Sequence, residues 1–240
     1  MEKAGIAIKE GGLKSLKPVI KIDVVSDVVC PWCYIGKRRL EKAMTMASDK
    51  FTFEVTYHPF ELNPTTPPSG FNQREYLAEK FGGQERYDSI TGHTSGVAAQ
   101  EGLVMNYDKQ VILPNTRKAH AIIFASQSEK AQIEVTEAFF KAYFTDGVDL
   151  SKDENLISVA EAAGLDRNIA ETAINSQAVI DSISEQEHEI QKLGVRGVPF
   201  YIFNSEHGVS GAQAPETFLN VFNELKSSAT GDTCEIGGEC

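Results

Sequence analysis

The chain has 240 residues, 41% of them apolar and 24% charged, with a formal net charge of −11. That length buries a sizeable core without cross-links, and the acidic balance argues against a general nucleic-acid binder. No apolar run approaches the length of a membrane span, and Met1 to Pro18 lacks the apolar block and small-residue cleavage site of a signal peptide. The expected setting is therefore the cytosol, with neither nucleic acid nor membrane as a partner.

Residues 1–18 read as a flexible lead. Val19 to Val25 is β-branched and apolar, which predicts a buried strand. Pro31 suits the first helical position, and Ile35, Leu40, Ala43, Met44 and Ala47 continue at helical spacing. Phe51 to Tyr57 alternates apolar and polar, a second strand. This start is a strand–helix–strand unit with a right-handed crossover. Asn63 to Gly70 is rich in proline and breaks the pattern.

The next stretch reads as helical at 73–81, 86–101, 116–127, 130–145, 154–163, 166–174 and 177–193. Asn115 is placed to cap the third of these. Pro199 to Phe203 returns to strand character, Glu206-His207-Gly208 reads as a turn, and Val209 to Gly211 as a short strand. Pro215 opens a last helix to Leu225, followed by a polar tail. The expected fold is α/β: a thioredoxin-like βαβ…ββα sheet domain, 19–62 with 194–226, carrying a large all-helical insertion, 63–193. The tail, 227–240, is expected to be flexible.

There are four cysteines, in two close pairs, Cys30/Cys33 and Cys234/Cys240. Neither pair closes a loop long enough to staple a fold, so redox chemistry or metal binding is the alternative to a structural role. Cys30 and Cys33 are three apart at a helix start, where side chains lie roughly 5–6 Å from one another, within a small adjustment of a disulfide. Unpaired N–H groups and the helix dipole stabilise a thiolate at Cys30. Cys33, one turn inside, keeps its proton longer. Cys30 therefore forms the mixed disulfide and Cys33 resolves it. Half of a zinc site is the competing reading, but zinc needs four ligands and no histidines cluster near either pair. No metal and no resident cofactor are expected. Lys37, Arg38 and Arg39 read as a solvated helix face.

Gly197-Val198-Pro199 precedes a strand. A cis bond before Pro199 would leave the Val198 backbone free to pair with an extended peptide. Trp32, between the cysteines, is expected to be partly exposed and, with Pro31 and Val198, to contact substrate.

The order strand, Cys30-Pro31-Trp32-Cys33, helical insertion, Gly197-Val198-Pro199-Phe200 resembles the DsbA group of the thioredoxin superfamily. Ser26 to Arg38, Phe60-Glu61-Leu62-Asn63-Pro64, Asn115-Thr116 with Ala119-His120, and Val209 to Gln213 resemble its FrnE-like branch. The resemblance covers about Val19 to Leu225. It implies a protein disulfide oxidoreductase with Cys30 nucleophilic, Cys33 resolving and Pro199 in cis beside them. Protein dithiols or disulfides are the implied substrates, with glutathione, another thiol or a thioredoxin-type protein as co-substrate or recycling partner. Thioredoxin-like proteins often place a buried acid six residues before the nucleophile; here that position is Val24. The same wider group contains 2-hydroxychromene-2-carboxylate isomerases and kappa-class glutathione transferases, which carry serine in place of Cys30. A glutathione-dependent small-molecule enzyme is thus the alternative.

Other residues carry chemistry in two readings each. Asp27 either helps proton transfer or satisfies backbone near the helix start. His58, at the end of the second strand, is a proton-transfer candidate or a packed histidine. His120 reads as a helix-packing residue, and His93, His188 and His207 as exposed. Cys234 and Cys240 either exchange electrons with Cys30/Cys33 or form an inert tail. Phe139, Phe140, Tyr143 and Phe144 read as core. Neither redox direction nor oligomeric state follows from the sequence.

Overall fold

The computed structural model describes residues 17–126 and 128–230. Cys234, Cys240 and the lead before Lys17 lie outside them. Strand β1 (Val19–Ser26), helix α1 (Pro31–Met46) and strand β2 (Thr52–Pro59) form the expected opening unit, with β1 and β2 parallel from Val19 opposite Thr52 to Ser26 opposite Pro59. Far along the chain, β5 (Phe200–Phe203) pairs antiparallel with β1, and β6 (His207–Ser210) pairs antiparallel with β5. The sheet order is β2-β1-β5-β6, and α9 (Pro215–Thr230) packs beside α1. The thioredoxin-like sheet with a helical insertion is present.

Alternation along β1 sets the two faces. Ile20, Ile22 and Val24 are buried in the main core with Ile35, Leu40, Phe218 and Phe222. On the other face Val25 packs with Ile190 and Val195, the first of these carried by α8 (Gln177–Lys192). The insertion also reaches the sheet through α5 (Glu129–Lys141). Its Glu129 Oε1 accepts from the Val55 N–H and its Gln132 Oε1 from the Tyr57 N–H, each at 2.7 Å. Phe140 of α5 stacks on Tyr34 of α1 with centroids 5.0 Å apart. Phe139, Phe140, Tyr143 and Phe144 are all core, as their spacing suggests.

The remaining helices are α2 (Gln73–Phe81), α3 (Gln84–Gln100), α4 (Arg117–Ala125), α6 (Asp153–Ala162) and α7 (Arg167–Asn175). Asn115 Oδ1 accepts from the Arg117 N–H at 3.0 Å, serving the start of α4. Several expectations need correction. The segment 130–145 is not one regular helix, because α5 passes into a wider π turn at Ala142–Asp146 that ends on Gly147 in the left-handed region. A two-residue pair, β3 (Phe71–Asn72) with β4 (Ile112–Leu113), is too short to show periodicity. The hairpin turn sits earlier than Glu206-His207-Gly208: Asn204 and Ser205 take positive φ, and Asn204 bonds both backbone groups of Lys21 at 2.9 Å. That anchoring extends the β1–β5 ladder and lets His207 begin β6, where it is half-buried rather than exposed. Finally, α9 continues past Leu225 to Thr230.

Lys37, Arg38 and Arg39 are not a solvated face. Lys37 is 4% exposed, ion-paired with Glu41 and, at 2.8 Å, with Glu137 of α5. Arg38 also binds Glu137. Arg39 binds Glu101 and the Ala212 carbonyl, both at 2.7 Å. A helix side that must meet an insertion uses paired charges where a solvated helix would use free ones.

Gly36 marks a close approach between α1 and β5. A Cβ there would run into the Tyr201 hydroxyl and come within 3.3 Å of Pro199 Cγ. Gly36→Ala should therefore cost about 1–3 kcal/mol, the usual range for overpacking. The Tyr201 hydroxyl has no hydrogen-bond partner among the described residues. Tyr201→Phe alone should be close to neutral, and it should recover most of the loss in the double variant. Urea denaturation of the four proteins checks this; strictly additive effects would rule out the clash.

Candidate functional site

Strand β1 ends at Ser26, and the turn through Asp27 delivers Cys30 to the N-cap of α1. The Cys30 N–H donates to the Asp27 carbonyl at 3.0 Å, and the Cys30 carbonyl accepts from Cys33 N–H at 3.0 Å. Pro31 at the first helical position fits the chain here because its missing N–H has no helical partner to lose. Both cysteines are free and buried. Cys30 is 3% exposed, and its thiol donates to the Val198 carbonyl at 3.7 Å. The Val198–Pro199 bond is cis. The structure thus brings together Cys30, Cys33, Pro31, Trp32, Val198 and Pro199.

Cys33 differs from Cys30 in its surroundings. Burial pushes its thiol well above the ordinary range, and the neighbouring Cys30 pushes the same way. The Ser26 side chain and the Asp27 backbone oppose that shift. Tyr57 and Tyr201 flank it on the sheet, and burial raises both phenols. A thiol in this environment keeps its proton until a specific acceptor removes it.

The insertion contributes groups that spacing did not reveal. Trp32 is half-buried, with His93 of α3 against its ring at 5.9 Å between centroids. His93 is exposed as expected, but it is not idle surface. Next to it Thr94 shares a 2.7 Å hydrogen bond with the Tyr107 hydroxyl. Burial pushes the Tyr107 phenol up to about 12, and the charge of Cys30 adds to the rise. So α3 forms one wall beside the motif.

Asp27 and His120 form a buried pair behind the motif. Asp27 is 0% exposed, and its Oδ2 accepts from the Leu62 N–H at 2.8 Å. That oxygen satisfies backbone, but at Leu62 after β2 and not near the helix start as expected. Its Oδ1 lies 3.5 Å from His120 Nε2, close enough for charge attraction and too long for a strong hydrogen bond. Burial would lower the pKa of His120, but the facing Asp27 carboxylate outweighs this and raises it. Around the pair, Arg117 bonds Glu61 at 2.7 Å and the Glu61 N–H donates to Glu187 at 2.8 Å. Burial and the Glu61 charge raise Glu187. His120 is more than helix packing; the only sequence signal was its place in the motif Asn115-Thr116 with Ala119-His120.

His58 is engaged elsewhere. Its Nε2 lies 2.8 Å from Asp23 Oδ1, and strand alternation places it opposite Tyr57. Among the described residues no helix is long and apolar enough to cross a membrane.

Residues 21–223 match the DsbA-like thioredoxin domain family. YwbO of Bacillus subtilis strain 168, an uncharacterized protein, is 24% identical over 218 residues, which is 85% of this chain and 96% of YwbO. The probable DsbA oxidoreductase SCO1869 from Streptomyces coelicolor superposes with a TM-score of 0.78 at 28% identity, over 92% of this chain and 94% of SCO1869. The cytosolic disulfide reductase DsbM from Pseudomonas aeruginosa, solved with GSH, shares the fold at a TM-score of 0.61 and 15% identity, over 86% of this chain and 99% of DsbM. The match spans both cysteines, the cis proline and the insertion between them, and with it the chain belongs to the DsbA-like thioredoxin domain family, whose chemistry is thiol–disulfide exchange.

Proposed function

We propose that this chain is a cytosolic protein disulfide oxidoreductase acting through Cys30 and Cys33. The observation that carries the reading is the Cys30 thiol against the carbonyl of Val198, before the cis Pro199, with Cys33 one turn along the same helix. In the reducing direction the Cys30 thiolate attacks a substrate disulfide. One Cys30–substrate disulfide forms, and the first substrate thiolate leaves. Cys33 then loses its proton and attacks the Cys30 sulfur, releasing the second substrate thiol and leaving Cys30–Cys33 oxidised. Two electrons pass to the substrate. The oxidising direction is the same path reversed. An extended substrate segment pairs with the Val198 backbone, and Trp32, with Pro31 beside it, covers the exchanging sulfurs.

Glutathione is the thiol we propose for recycling the oxidised pair, and the cytosolic relative solved with GSH supports it. A glutathione-dependent isomerase would have no use for a resolving thiol such as Cys33. Insulin reduction and oxidation of reduced ribonuclease, each run with a glutathione buffer, test the function and its direction together. Turnover in either assay supports the reading; no turnover in both, with the protein folded, rejects it.

A further inference from the structure

The segment between α8 and β5 leads to Val198 with its backbone uncovered. None of the Arg196, Gly197 and Val198 N–H groups donates to a described residue, and no atom stands within 4 Å of where a Cβ on Gly197 would sit. Unpaired N–H groups at an open edge recruit a strand. Beside this segment lies a groove of about 500 Å³. His188, Gln191 and Lys192 share one face of α8 at helical spacing and line it with Phe60, Val195 and Arg196. Phe60 and Val198 both pack, half-buried, on the small cluster of Val25, Ile190 and Val195. One apolar cluster therefore carries both a wall of the groove and the residue that meets Cys30. Arg196 sets the chemistry there. Arg38, Arg39, Arg74, Arg117 and Arg167 each ion-pair with a carboxylate. Arg196 pairs with none among the described residues; its Nη1 donates to the Gln191 carbonyl at 2.5 Å and the Val195 carbonyl at 3.4 Å. Those bonds hold the guanidinium at the groove and leave Nε and Nη2 for a planar anion. Lys192 is 57% exposed and pairs with Glu189 of its own helix at 2.7 Å, a contact that solvent screens. Glu187 is turned away, accepting from the Glu61 N–H.

We propose, on the exchange reading above, that this groove selects the substrate: Arg196, with Lys192 in the same groove, takes an aspartate or glutamate side chain that stands two or three residues from the reacting cysteine of an extended protein segment. An extended chain advances about 3.3 Å per residue. A segment that pairs with the Val198 backbone while its cysteine meets Cys30 therefore passes Arg196 about two residues along. Phe60, and Leu193 at 70% exposure on the same connection, offer apolar surface to the flanking residues. The chain carries a net charge of −11, which disfavours acidic partners at long range. A carboxylate gains only where it is presented at the groove, so the contact sorts substrates by local sequence and not by overall charge.

Peptides with one cysteine capped as a mixed disulfide with thionitrobenzoate test this. Each carries aspartate, asparagine or lysine at the second or third residue on either side of the cysteine. Attack by Cys30 on the peptide sulfur releases the coloured thiolate, and stopped-flow absorbance gives the second-order rate. With the reduced wild type, the best-placed aspartate peptide should react about five- to tenfold faster than its asparagine twin, and the lysine twin slower still. An ionic strength of about 1 M, where screening reaches down to about 3 Å, should shrink that advantage. In Arg196→Gln the aspartate-to-asparagine ratio should fall to about one, and in Lys192→Gln to an intermediate value. The ratio is read within one folded protein, so weakening of the α8 end does not imitate the effect. Where Arg196→Gln fails to fold, Lys192→Gln and the salt series carry the test. A wild-type ratio below about two at every position, or a ratio that survives both substitutions, overturns the proposal. So does glutathione disulfide slowed by Arg196→Gln as much as the aspartate peptide, which would give the arginine to a tripeptide carboxylate instead. Folded, reduced protein that releases no colour from any peptide overturns the exchange reading itself.

Discussion

Cys30→Ser should lose disulfide exchange by at least roughly a thousandfold, because a hydroxyl cannot supply the thiolate that forms the mixed disulfide. The Cys30 thiol lies against the Val198 carbonyl, beside the cis Pro199. Cys33→Ser should behave differently. It should still attack a substrate disulfide once, then stall with substrate attached at Cys30. Insulin turbidity measures the first effect, and mass spectrometry of the quenched reaction measures the second. Residual turnover in Cys30→Ser within tenfold of wild type would remove Cys30 from the mechanism. A trapped adduct on Cys33 would reverse the assigned order.

Asp27→Ala should destabilise the fold by about 3–5 kcal/mol, the range for breaking a buried charge pair from one side. Two losses combine. The Leu62 N–H loses its acceptor, and His120 loses the carboxylate that favours its charged form. The pH dependence follows from the second. The folded pKa of His120 lies above its unfolded value of about 6.5, so its stabilising contribution is complete below that value. It is lost as pH rises through the folded pKa. In the variant, burial is opposed only by the smaller contributions of Glu187 and Glu61, so the upward shift is reduced. The deficit should therefore be largest near pH 5.5 and shrink toward pH 8.5. Denaturant midpoints of both proteins across that range check it. A deficit independent of pH would mean that Asp27 acts only through Leu62.

Much of the site was legible because it is local. Cys30 and Cys33 share one helical turn, so spacing alone gave their proximity; the two are equally buried, at 3% exposure each, and differ in what surrounds them. Pro199 lies 166 residues beyond Cys33 in the numbering, and only the combination with the cysteines and the family motifs brought it to them. Strand β1 was found because its apolar run is β-branched, and β2 because apolar and polar residues alternate along it. What stayed hidden depends on contacts between distant elements. His93 reaches Trp32, and His120 reaches Asp27, across the boundary between sheet and insertion. Helical periodicity says which side of α3 or α4 is apolar, but not which neighbour a polar group on that side will meet. Lys37 was misread for the same reason: a lysine on a helix is solvated unless a second helix brings Glu137 over it. The turn at Asn204 and Ser205 was misplaced because a glycine at 208 looked like the natural corner, whereas Asn204 tolerates the left-handed region and is tied to Lys21.

The two α5 side chains that bond the β2 backbone bear on how the insertion relates to the sheet. Strand β2 is the outer strand on its side of the sheet, and its outward N–H groups at Val55 and Tyr57 are the kind that recruit a strand from another molecule. Glu129 and Gln132 occupy them. The helical insertion is therefore a gatekeeper against self-association as well as a wall of the site. A minimal protein made by splicing Leu62 to Gly194 would keep both cysteines and the cis proline but uncover that strand, and it would be drawn toward aggregation rather than toward a smaller working enzyme.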